Sequence, residues 1–145
     1  MSWSKRAEQL LTSIWILTLI ATMGSLFYSE VMRYTPCELC WIQRIFMYPL
    51  VIIYGAALVK KNIQIALPGL LLSGLGFLVS VYHYSLQKLS GFDSGGAVCG
   101  DVPCTLQYVN YVGFITIPFL AGIAFLIIFV LHWVVKREGK RQNEK

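Results

Sequence analysis

Charge is what this sequence has least of. Only 13% of its 145 residues are Asp, Glu, Lys or Arg, against 57% that are apolar. Soluble domains carry about 25% charged residues, so this complement cannot cover a globular surface, and the excess apolar side chains must face lipid. The net charge of +5 does not point to nucleic acid, because the basic residues gather at the ends of apolar runs, where membrane topology accounts for them. No nucleotide-binding loop, hydrolase triad or metal-ligand cluster is visible. There is no second C-x-x-C and no His pair at ligand spacing, so a zinc site would have only half its donors and no metal is expected. Trp41 stands where c-type haem attachment needs a His. His83 and His132 fall near opposite membrane faces on different apolar runs and cannot share one haem iron. No small-x-small cleavage site follows the first apolar run, which is long for a signal peptide and is read as a membrane helix.

What is present is four apolar runs, at about 10–28, 41–59, 63–84 and 109–135. A bilayer takes about 20 residues of helix. The pattern predicts an all-α membrane protein, a four-transmembrane-helix bundle forming a single domain over 1–145. Pro49, Pro68 and Pro118 lie inside these runs, which membrane helices tolerate when neighbours satisfy the freed carbonyls. Gly69, Ser73, Gly76 and Ser80 recur at helical spacing on the third run, the mark of close helix packing. Tyr28, Tyr34, Trp41, Tyr82, Tyr84, Tyr108, Tyr111 and Trp133 read as an interfacial aromatic belt. Nine of the twelve basic residues stand in the N-terminal tail, between the second and third runs, or in the C-terminal tail. The positive-inside rule therefore predicts cytoplasmic termini and outer loops at about 29–40 and 85–108.

All four cysteines fall in those outer loops or at their membrane edges: Cys37 and Cys40 in the first, Cys99 and Cys104 in the second. Charge and cysteine placement thus agree, because disulfides persist outside the cytoplasm. Four cysteines allow three pairings, and Cys37–Cys40 with Cys99–Cys104 closes the shortest rings. Pro36 suits the turn into a helix, which puts Cys37 and Cys40 near its first turn, where unpaired N–H groups and the dipole favour a thiolate. Arg44 follows Cys40 by four residues and so presents a permanent cation on the same helix face. Snorkelling to headgroups is the structural alternative for an Arg at a span edge. The Gly-rich stretch from Gly91 to Cys104 has the composition of a segment able to move. A movable disulfide near a membrane-edge disulfide is what relay by thiol exchange requires.

The motif Cys37-x-x-Cys40-x-x-x-Arg44 at the head of the second run resembles the signature of the disulfide bond formation protein B family, DsbB. His83-Tyr84-Ser85-Leu86-Gln87 resembles that family's H-x-x-L-Q, and the second cysteine pair and Pro118 also fit. With four residues between Cys99 and Cys104, the chain is closer to the short-loop, BdbC-like members of Gram-positive bacteria. The resemblance implies a multi-pass protein of the bacterial cytoplasmic (inner) membrane that reoxidises an extracytoplasmic thioredoxin-fold thiol oxidase, DsbA- or BdbD-like. Electrons would pass to the membrane quinone pool, ubiquinone or menaquinone, in support of disulfide formation in exported proteins. It implies that Cys99 or Cys104 receives electrons from the partner, with the family pattern favouring Cys99. The Cys37–Cys40 pair would reoxidise the loop pair, Cys40 facing quinone as thiolate, with Arg44 binding or polarising the quinone and His83 near the same pocket.

Two other readings compete. A vitamin K epoxide reductase-like protein also sets a C-x-x-C beside quinone in a helical bundle, but late in the chain, whereas here it opens the second run. A non-enzymatic membrane scaffold with two structural disulfides would leave the Cys40–Arg44 offset unexplained.

Overall fold

The structure, a computed structural model, describes residues 4–89 and 112–145. Among the described residues, four long helices carry the fold: α1 (Lys5–Leu26), α2 (Glu38–Val59), α3 (Leu67–Lys88) and α4 (Ile117–Asn143). All four are long and apolar enough to cross a membrane. The expected all-α four-helix bundle is therefore what forms. Each helix packs on two neighbours, in the order α1–α2–α3–α4 and back to α1. Arg6 and Glu138 lie 3.7 Å apart, so both ends of the described chain meet at one end of the bundle.

Local chemistry sets the helix ends. The Ser4 hydroxyl accepts from the Ala7 N–H at 3.1 Å and caps α1. α1 runs on into a π-helical turn, Phe27–Val31, where the Met32 N–H reaches back five residues to the Phe27 carbonyl. The Asn62 side chain caps the 3₁₀ turn Ile63–Ala66 that leads into α3. Pro68 and Pro118 do not interrupt helices, as their places inside the apolar runs implied. Each sits in the first turn of its helix, where a missing N–H costs no intrahelical bond. Only Pro49 is internal among the described residues. α4 begins at Ile117 rather than in the apolar stretch from 109. Val112 and Gly113 take left-handed φ of 57° and 82°, which a right-handed helix excludes. Residues 109–111 lie outside the described residues.

The outer surface of the helices is apolar, unlike that of a water-soluble bundle, and several polar side chains are buried beside the apolar core. Ile52 is 74% exposed, while Thr18, Ser73 and His132 are fully buried. In a bilayer the apolar side chains face lipid and the polar ones must find partners inside. The buried face of α3 is Gly69, Ser73, Gly76, Ser80, His83 and Gln87, alternately four and three residues apart. A Cβ on Gly69 would stand 2.9 Å from the Tyr54 ring of α2, and one on Gly76 would stand 2.5 Å from the Phe125 ring of α4. Only glycine lets these rings lie against the backbone. Gly55 likewise admits Trp15, whose indole N–H donates to the Val51 carbonyl at 3.1 Å. Across the bundle, Tyr54 Oη and His132 Nδ1 share a hydrogen bond of 2.8 Å.

Gly76→Val forces the Phe125 ring away and should cost about 1–3 kcal/mol by overpacking. Gly24→Ala, where nothing lies within 4 Å of the added Cβ, should leave stability unchanged or raise it. Thermal melts of the two purified variants in detergent, followed by circular dichroism, separate them. Equal midpoints would remove the packing role assigned to Gly76.

Candidate functional site

The site forms at the start of α2. Cys37 is the N-cap residue, with extended backbone angles, and Cys40 lies in the first turn. Their Sγ atoms are 3.1 Å apart, too far for the bond of about 2.05 Å in a disulfide, so this is the dithiol form. Cys37 is buried and Cys40 half-buried. Leu39, Ile42, Val79 and Leu86 pack around them and close the pair off between α2 and α3.

The third member arrives from α3. His83 is two turns beyond Gly76 on the buried face, and its Nε2 lies 3.6 Å from Cys37 Sγ. Its Nδ1 lies 3.5 Å from the side-chain amide of Gln43, one turn along α2 from Cys40 and itself buried. The amide holds the ring from behind while the far nitrogen faces sulfur. Sequence spacing found no third donor for the two cysteines. Helix packing brings one from 46 residues away, and the three donor atoms all lie within 4.8 Å of one another. The usable signal was the stripe of small residues: extended at the same spacing past Ser80, it reaches His83 and Gln87.

Arg44 finds its partners within the bundle. Its guanidinium donates to the Ser25 carbonyl near the end of α1 at 3.0 Å and stacks on the Trp41 ring 5.3 Å from its centroid. The cation is thus tied to two elements. Between it, the thiols and α4 lies a cavity of about 250 Å³. Met47, Ala121, Phe125 and Pro118 give it apolar walls, and Cys37, Cys40, Arg44, Gln43 and His83 are among the polar groups at its lining. Cys99 and Cys104 lie outside the described residues, as does most of the second outer loop. His132 is far from the thiols in sequence and partnered by Tyr54.

Cys37 stands one residue before α2. The Cys40 thiol beside it, aided by His83 and against the effect of burial, lowers its pKa from 9.0 to about 4. The charge of the reduced pair therefore settles first on Cys37, whereas the family resemblance implied the thiolate at Cys40.

Cys37, freed of the loop thiols by Cys99→Ser and Cys104→Ser, should react with iodoacetamide at a constant rate from about pH 8 to about pH 6, where an ordinary thiol of pKa about 8.5 slows roughly tenfold per unit. A depressed pKa means the thiolate is lost only as pH falls towards 4, so the rate should drop there. Cys40→Ala should move that drop upward. Peptide mass spectrometry reads the site, and a rate falling steadily below pH 8 would contradict the assignment.

Comparison with known proteins agrees with the geometry. The family model "Disulfide bond formation protein DsbB" matches residues 7–135. The chain is 62% identical over 140 residues to a "Probable disulfide formation protein" of Oceanobacillus iheyensis, covering 96% of this chain and 97% of the relative. It is 45% identical over 124 residues to "Disulfide bond formation protein C" of Bacillus subtilis, covering 86% and 90%. It is 38% identical over 135 residues to "SPbeta prophage-derived disulfide bond formation protein B" of the same organism, covering 90% and 89%. No solved structure matches it. A vicinal thiol pair at the head of a helix in a four-helix membrane bundle, matched along almost its whole length, places the chain in the disulfide bond formation protein DsbB family, whose members are membrane thiol-disulfide oxidoreductases.

Proposed function

We propose that this chain is a quinone-dependent thiol oxidase of the bacterial cytoplasmic membrane, with both termini inside. It reoxidises an extracytoplasmic thioredoxin-fold dithiol oxidase. The observation that carries the reading is the juxtaposition of the Cys37–Cys40 pair, Arg44 and an apolar cavity of about 250 Å³. Apolar walls with a few polar groups gathered at the lining suit a flat lipid-soluble ring. Quinone, when bound there, supplies an acceptor for two electrons and two protons.

The chain's own residues account for the rest. The partner's dithiol reduces the Cys99–Cys104 disulfide by exchange through a mixed disulfide, and the partner leaves oxidised. The loop dithiol then reduces the Cys37–Cys40 disulfide in the same way and returns to its oxidised form. The two electrons now reside in the Cys37–Cys40 dithiol. Cys37 holds the thiolate, with Cys40 Sγ 3.1 Å away. His83 Nε2, at 3.6 Å from Cys37 Sγ, can hold or return a proton there. The Arg44 guanidinium, fixed by the Ser25 carbonyl, places a permanent cation where negative charge develops on the acceptor. Cys40 lines the cavity and is the sulfur assigned to face it.

Thiol trapping in native membranes tests the route. An alkylating mass tag is added with the quinone pool held oxidised, then held reduced. The tagged fraction of the cysteines should rise when the pool is reduced, and Cys40→Ser should abolish the response. Arg44→Ala should slow reoxidation about 10²–10³-fold, the scale for losing one preorganised charge-stabilising donor, while leaving the helical signal intact. Cysteines that stay blocked in both states would mark structural disulfides and sink the oxidase reading.

A further inference from the structure

The reduced pair and His83 have a property that electron relay does not require. In a tetrahedral site with metal–sulfur bonds of about 2.3 Å and metal–nitrogen bonds of about 2.0–2.1 Å, neighbouring donors stand about 3.5–3.8 Å apart. Cys37 Sγ and His83 Nε2 are 3.6 Å apart, within that range. The two sulfurs, at 3.1 Å, need to open by about 0.6–0.7 Å to reach the sulfur–sulfur spacing at its upper end, which a small rotation of the half-buried Cys40 side chain supplies. All three donor atoms already lie within 4.8 Å of one another.

The surroundings suit a ligand set as well. Metal-bound histidines usually have their second ring nitrogen held by a hydrogen-bonding partner. Here the buried Gln43 amide lies 3.5 Å from Nδ1. With its oxygen turned to Nδ1–H, an orientation that fitting a side-chain amide leaves free, it commits the Nε2 lone pair to the sulfurs. Two thiolates and a divalent cation sum to zero charge. That neutral complex avoids the desolvation cost of a bare thiolate pair at the membrane edge. It is also tolerated beside the Arg44 guanidinium, which would repel a free cation.

We infer that the reduced form of this chain is a three-donor site, Cys37, Cys40 and His83, for a soft divalent cation such as Zn²⁺ or Cd²⁺, and that occupancy locks the pair reduced. Binding releases the thiol protons still present, forms two metal–sulfur bonds and one metal–nitrogen bond, and transfers no electrons. The fourth position faces the cavity that Cys37, Cys40 and His83 line. The disulfide form offers no thiolates and does not bind. Metal uptake and electron relay therefore exclude each other at the same sulfurs, which makes the site a point of reversible inhibition by thiophilic metals outside the cytoplasm. The inference needs only the reduced pair, not the acceptor or the partner, so it can fail while the proposed electron route stands.

The test uses the full chain in detergent with Cys99→Ser and Cys104→Ser, reduced with a phosphine that is then removed. Titration with Cd²⁺ should raise a near-ultraviolet thiolate-to-metal absorption that saturates at one metal per chain. Oxidising the pair beforehand should abolish it. One equivalent of Zn²⁺ should slow maleimide labelling of Cys37 and Cys40 at least about tenfold, and His83→Ala should weaken Cd²⁺ binding at least about tenfold. His83→Cys restores a donor and should raise the absorption per chain by about half, as three thiolates replace two. That gain decides the matter even if His83→Ala misfolds. An absent band in the reduced protein, a band that survives Cys37→Ser, or a His83→Cys variant with no added absorption would overturn the site.

Discussion

The close approach of α3 to its neighbours is the constraint on which the rest depends. In a bilayer the hydrophobic effect does not drive helices together, because lipid tails are as apolar as the side chains. Association rests on packing, and packing needs small residues where backbones meet. Gly69 against Tyr54 and Gly76 against Phe125 bring α3 onto α2 and α4 at once. His83 belongs to the same stripe, so the contacts that seat α3 also carry its ring to Cys37. Structure and chemistry share one helix face.

That sharing explains the division of labour along α3. Where the stripe is glycine and serine, its task is to vanish beneath aromatic rings. Where it becomes His83 and Gln87, the bundle encloses polar groups near the start of α2. There the Cys37–Cys40 pair has an unpaired helix N-terminus, an imidazole and, across the cavity mouth, a guanidinium. Each stabilises sulfur as an anion by a different route: dipole, hydrogen bond and charge. These contacts outweigh the burial that opposes the charge on Cys37.

The opposite half of the bundle solves a different problem. Tyr54 and His132 are fully buried between α2 and α4, and Tyr54 Oη meets His132 Nδ1 at 2.8 Å. The Tyr54 ring is also the surface against which Gly69 rests. One side chain thus ties α2 to both α3 and α4, while the thiol pair at the other end needs the mobility of χ1 rotation to open and close its bond.

The sequence by itself determined the four spans, the small-residue stripe and the placing of a C-x-x-C with a one-turn Arg offset at the head of the second helix. All of these are local: hydropathy over a span, spacing along one helix and the capping habit of Pro36 need no knowledge of neighbours. Late α4 initiation was not legible, because apolar residues before Ile117 look helical until the left-handed φ values of Val112 and Gly113 are known. Nor was the first-turn position of Pro68 and Pro118, since hydropathy does not mark where a helix begins inside an apolar run. Tertiary structure alone decided which groups meet. His83 reaches Cys37, Gln43 steadies the imidazole, and Arg44 finds the Ser25 carbonyl, all through contacts between different helices. Their distances are fixed by how deeply rings sink over glycines, a quantity that no spacing along one chain contains.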